Sequence, residues 1–124
     1  MWNSATRRPT ACPALCPADL RILVVFAHPD DESFGPAALL AKYAREGAAV
    51  FGLFFTPGQF GQTDTLPKPS PAELGRLRTQ DLIDATRIIG FQGVDVLDYL
   101  DGSLARVPIP RLEADVLTAF QRFQ

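Results

Sequence analysis

The chain has 124 residues, 47% of them hydrophobic, with 12 Lys and Arg against 14 Asp and Glu for a formal charge of −2. That length fits one domain able to bury roughly two thirds of its unfolded surface. The basic residues are scattered, so no stripe follows a phosphate backbone, and no apolar run nears the ~18 residues of a membrane span. Neither nucleic-acid binding nor a membrane-spanning role is expected.

The leader, residues 1–20, is rich in Pro, carries Arg7, Arg8, Cys12 and Cys16, and lacks the apolar core of a secretory signal. It reads as a flexible extension, and a cytoplasmic protein is expected. There the two cysteines could pair, bind metal or stand as free thiols, and free thiols are the expectation because disulfides are rare in the cytoplasm.

"RILVVFA" (Arg21 to Ala27) is a short apolar run of the kind buried on both faces of a parallel sheet. "GPAALLAKYAREG" follows with helical spacing, Pro36 at a helix start and Gly47 at its stop. "AAVFGLFFT" (Ala48 to Thr56) repeats the strand pattern, and "PGQFGQTDTLPKP" is a loop. Ser70, Pro71 and Glu73 then form a capping box for a helix that Gly90 ends, with Leu74, Leu77, Leu82, Ala85, Ile88 and Ile89 as its apolar face. "VDVLDYL" predicts a third strand. "PRLEADVLTAFQRFQ" predicts a third helix with Leu112, Val116, Leu117, Phe120 and Phe123 on one side. The expected fold class is α/β, a Rossmann-like three-layer sandwich with a mainly parallel sheet, spanning residues 21–124 and cut off after about three β-α units.

In such sheets ligands gather beyond the carboxyl ends of the strands. The first of those loops reads "FAHPDDES" and holds the only histidine of the chain, His28, beside Asp30, Asp31 and Glu32. Neither G-x-G-x-x-G nor a P-loop occurs, so the turn is not built to cradle phosphate. Imidazole and carboxylate are zinc ligands, and Pro29 restricts both itself and His28. A second reading of the same residues is structural: Asp30, Asp31 and Ser33 cap the next helix and His28 merely ends a strand. Three consecutive acids repel one another without a cation or water, which favours the metal reading.

"AHPDDE" after the first strand resembles the signature of the LmbE-like or PIG-L family of zinc-dependent N-deacetylases. "FFTPGQFG", "LRTQDLIDATRIIG" and "DYLDGSL" resemble later stretches of that family in the same order. The resemblance implies His28 and Asp31 as Zn²⁺ ligands, and Asp30 as general base toward water activated by zinc. It further implies Arg78 and Asp101 as substrate-binding residues and an N-acetyl amino sugar as substrate. Glu32 has no assigned step. The family's third ligand is a later histidine, which this sequence lacks, so the chain reads as a fragment. An open sheet edge then favours association into a homo-oligomer. A partner subunit or a cysteine is a candidate third donor. Beside an active deacetylase, an inactive sugar- or metal-binding module and a relic fragment remain alternatives.

Overall fold

The structure, a computed structural model, describes residues 16–124. In chain order the regular elements are β1 (Arg21–Phe26), α1 (Asp31–Phe34), α2 (Ala37–Arg45), β2 (Ala49–Phe54), α3 (Pro71–Ile89), β3 (Gly93–Val96) and α4 (Ile109–Arg122). Short 3₁₀ turns stand at Pro17–Asp19 and Leu104–Arg106. The sheet order is β1-β2-β3 with both pairs parallel, Phe26 opposite Phe54 and Phe54 opposite Val96. All three carboxyl ends therefore meet along one rim. The expected α/β class with a parallel sheet is what forms.

The central strand is flanked by a neighbour on either side, and all six residues of β2 are buried. One of its faces meets α4, where Leu53, Phe55 and Ala119 form a cluster packed by Leu23, Leu97, Leu112, Val116 and Phe123. The rings of Phe51 and Phe123 stack at 4.7 Å. The other face lies under α2 and α3, whose Leu40 and Leu82 are buried. The end of α4 is tied down by the Arg21 guanidinium, which donates to Phe123 O at 3.0 and 2.7 Å, and by the Arg122–Asp95 ion pair at 2.6 Å.

Several boundaries differ from the sequence reading. The leader was expected to run to residue 20, yet Leu20 O accepts from Ala49 N–H at 2.9 Å and so begins the β1–β2 pairing. Residues 1–15, including Cys12, lie outside the described part. The third strand is shorter than "VDVLDYL", although Leu97 and Tyr99 N–H still donate to Phe54 O and Phe55 O. The buried faces of α3 and α4 are narrower than the apolar stripes that helical spacing predicts. In α3, Leu77 is 41% and Ile88 87% exposed. Its 19 residues span about 28 Å, longer than the strands beneath it. In α4, Leu117 and Phe120 stay exposed, Phe120 bordering a hollow beside Arg21 and Leu23 that no described element fills.

Candidate active site

Three loops leave the carboxyl rim of the sheet, and their side chains interlock. The first follows β1 and carries His28 to Ser33. The second follows β2 and starts at Thr56, a fully buried residue whose Oγ1 donates to Ala27 O at 3.0 Å and accepts from Gly58 N–H at 3.2 Å. The third follows β3 and carries Asp101.

His28 and Asp31 form the heart of the first loop. The backbone N–H of His28 donates to Asp31 Oδ2 at 3.0 Å, which folds the carboxylate back toward the imidazole. His28 Nδ1 then lies 3.9 Å from Asp31 Oδ2. Two donors about 2.1 Å from one ion stand about 3.4 Å apart in a tetrahedron, so a small turn of either side chain brings this pair into range. Across the rim, His28 Nε2 meets Asp101 Oδ1 at 2.8 Å, while Asp101 Oδ2 accepts from Phe60 N–H at 3.3 Å. Both oxygens of Asp101, a residue expected on substrate, are thus engaged within the protein.

Asp30 is held in an unusual way. Its φ of +103° is the only positive value at a non-glycine among the described residues. Such a backbone costs on the order of 1–3 kcal/mol and persists only where neighbours impose it. Two neighbours do so. Asp30 N–H donates to Glu32 Oε2 at 3.0 Å, and Asp30 Oδ2 accepts from Arg78 Nη2 at 2.8 Å. Arg78 reaches across from α3 and also donates to Pro29 O at 2.7 Å and Gly58 O at 2.8 Å. It fits because Gly58 and Gly61 lack side chains: a Cβ at either would stand 2.3 or 2.4 Å from its Nη1.

The capping alternative is only half realised. Asp31 does open a one-turn helix with Asp30 at its N-cap position, but no side chain caps it. Glu32, given no step from the sequence, proves to be the post of this loop. It is 1% exposed and accepts from Asp30 N–H and from Ser33 Oγ–H at 2.6 Å. The signals for Gly58, Gly61 and Glu32 were present as the G-x-x-G spacing and the third acid, but their partners lie far along the chain or in backbone groups.

His28 and Asp31 suit a divalent metal by donor type and separation, as two of its protein ligands. Among the described residues no group of three or more His, Cys, Asp or Glu is arranged around one point for a metal. Cys16, named above as a candidate third donor, is exposed and precedes the start of β1. The six residues of β1 span about 20 Å, which separates Cys16 from the rim where His28 lies. It does not serve that role within one chain.

Known proteins share both the sequence and the fold. The PIG-L family profile, described as GlcNAc-PI de-N-acetylase, matches residues 23–124. A 1D-myo-inositol 2-acetamido-2-deoxy-alpha-D-glucopyranoside deacetylase of Kineococcus radiotolerans is 40% identical over 85 residues, covering 67% of this chain and 24% of that protein. The structure of N,N'-diacetylchitobiose deacetylase from Pyrococcus horikoshii superposes with a TM-score of 0.69 at 26% identity, covering 77% of this chain and 34% of that one. A 4-carboxy-2-hydroxymuconate hydratase from Pseudomonas putida shares the fold, with a TM-score of 0.73 at 20% identity over 84% of this chain and 43% of its own. The chain thus spans about a quarter of the length of the first relative. No described helix is long and apolar enough to cross a membrane. By the extent of the match and the order of its motifs, the chain belongs to the PIG-L family.

Proposed function

We propose that this chain carries the His28, Asp30 and Asp31 part of a zinc-dependent N-deacetylase site acting on an N-acetylated amino sugar. The observation that supports it most is the pairing of His28 Nδ1 with Asp31 Oδ2 beside an Asp30 carboxylate pinned at the same rim. His28 and Asp31 would hold the metal. When bound, zinc would supply Lewis-acid polarisation of the acetyl carbonyl and lower the pKa of its bound water to about 7.

The work of Asp30 follows from its setting. Arg78 occupies Oδ2, so Oδ1 is the oxygen that takes the proton from the attacking water. Its side chain is half exposed, so water and substrate reach it. As the C–O bond forms and the C–N bond breaks, the same carboxyl passes the proton to the departing amine nitrogen, giving acetate and a free amino sugar. Arg78 is committed to Asp30 and two carbonyls, and it contributes by fixing the base. The hollow that Asp30 itself lines, together with Pro29, Glu32, Ser33 and Arg78, holds about 170 Å³, and a larger one of about 620 Å³, lined in part by Pro57, Phe60, Thr79 and Leu100, is lined by none of His28, Asp30 and Asp31. The amino-sugar substrate class is suggested by the names of the relatives described above.

The test is release of free amine from N-acetylglucosaminyl-inositol and from N,N'-diacetylchitobiose by the zinc-loaded chain, beside Asp30→Ala. Zinc-dependent release that Asp30→Ala abolishes at unchanged fold supports the reading. Zinc bound with no amine released from either compound counts against it.

A further inference from the structure

We infer that Asp101 is the positioning residue of the metal site, holding His28 as the Nε2–H tautomer so that Nδ1 is the nitrogen presented to the metal. The inference rests on the proposed function only for the metal; the hydrogen bond itself is independent of it. A carboxylate accepts and does not donate, so the 2.8 Å contact between His28 Nε2 and Asp101 Oδ1 places the ring proton on Nε2. In the neutral ring the lone pair is then on Nδ1, the nitrogen that faces Asp31. Partners of this kind on the distal nitrogen fix the orientation of metal-binding histidines and raise their basicity.

The acid is more firmly placed than the ring it touches. The Asp101 side chain is 13% exposed against 38% for His28. It stands in a tight turn where Ser103 N–H donates to Leu100 O at 3.0 Å and Gly102 takes a φ of +75°. Its second oxygen accepts from Phe60 N–H, so one carboxylate links the loops after β1, β2 and β3. Asp101 therefore sets the ring from outside the loop that supplies both candidate ligands. A role on substrate alone would not require this contact.

One histidine in the chain makes the test clean, because its imidazole ¹⁵N resonances need no assignment. Spectra are recorded at about pH 8.5, where an ordinary imidazole is neutral, for the full chain, Asp101→Asn and Asp101→Ala. The wild type should show one tautomer with a protected Nε2–H. Asp101→Asn, whose amide oxygen accepts the same bond, should keep that signal, and Asp101→Ala should lose its protection. Added zinc should move the Nδ1 resonance and leave Nε2 protonated, with affinity falling about 10- to 100-fold in Asp101→Ala and less in Asp101→Asn. A proton on Nδ1 in the wild type, a protected Nε2–H that survives Asp101→Ala, or zinc on Nε2 would overturn the inference. Zinc that fails to bind the wild type while the tautomer pattern holds would count against the proposed function, leaving the Asp101 hydrogen bond intact.

Discussion

Replacing Gly58 by Ala puts a methyl group where the structure has an arginine. The new Cβ would lie 2.3 Å from Arg78 Nη1 and 2.8 Å from its Cζ, and the backbone at Gly58 has a φ of +66°. Two costs follow. Ala in the left-handed region costs about 1–2 kcal/mol. The guanidinium must also leave a place where it donates to Pro29 O, Gly58 O and Asp30 Oδ2. Hydrogen bonds from a charged group are worth about 1.5–3 kcal/mol each, and because part of the clamp faces water we count the loss as about 2 kcal/mol in all. The expected destabilisation is therefore about 3–4 kcal/mol, read as a shift in the denaturant midpoint. A double-mutant cycle separates the two costs. In an Arg78→Ala background the same substitution should cost only the backbone share, about 1–2 kcal/mol. Gly61→Ala, whose Cβ would come within 2.4 Å of Nη1 but whose φ is not positive, should show the steric share. Equal costs for Gly58→Ala in both backgrounds would refute the claim that these glycines exist to admit Arg78.

Other residues make sharper contrasts in pairs. At Asp30 the positive φ predicts that Gly is more stable than Ala by about 1 kcal/mol, the reverse of their order in a helix. Thermal unfolding of Asp30→Gly and Asp30→Ala measures this, and the opposite order would show that the strain is absent in solution. On α4, Ala119 is 3% exposed between Leu53 and Phe55, whereas Leu117 is 59% exposed. Ala119→Leu should destabilise by about 1–3 kcal/mol through overpacking, and Leu117→Ala by less than about 0.5 kcal/mol. A large loss at Leu117 would mean that another surface covers it in solution.

The scaffold was legible where local chemistry decides it. Ser70 accepts from Glu73 N–H at 3.3 Å, Pro71 opens α3, and Gly90 closes it in the left-handed region, each as its residue type demands. β2 is buried because its apolar "AVFGLF" lies between β1 and β3 with helices over both faces, whereas the equally apolar β1, at the edge, stays partly exposed. What the sequence could not reveal depends on distant partners. Ile88 and Leu117 look like core residues by spacing, but burial requires a surface opposite them, and spacing does not say how far the sheet extends. The one-turn helix Asp31–Phe34 is too short to leave a periodic signal. Within the site, His28, Asp30 and Asp31 stand out because they are adjacent in sequence. Asp101 and Arg78 could be named only by resemblance, since their partners His28 and Asp30 lie 73 and 48 residues away. The positive φ of Asp30 arises from that second contact together with Glu32, so neither the strain nor its purpose is written in "HPDDE".

The central claim is that His28 and Asp31 together bind a divalent metal. Its most direct test is a calorimetric zinc titration of the full chain beside His28→Ala and Asp31→Ala, with the fold of each variant checked by circular dichroism. The account predicts about one zinc per chain, with binding weakened or lost in both variants while the fold persists. Zinc held equally well by all three proteins, or by none, would contradict it.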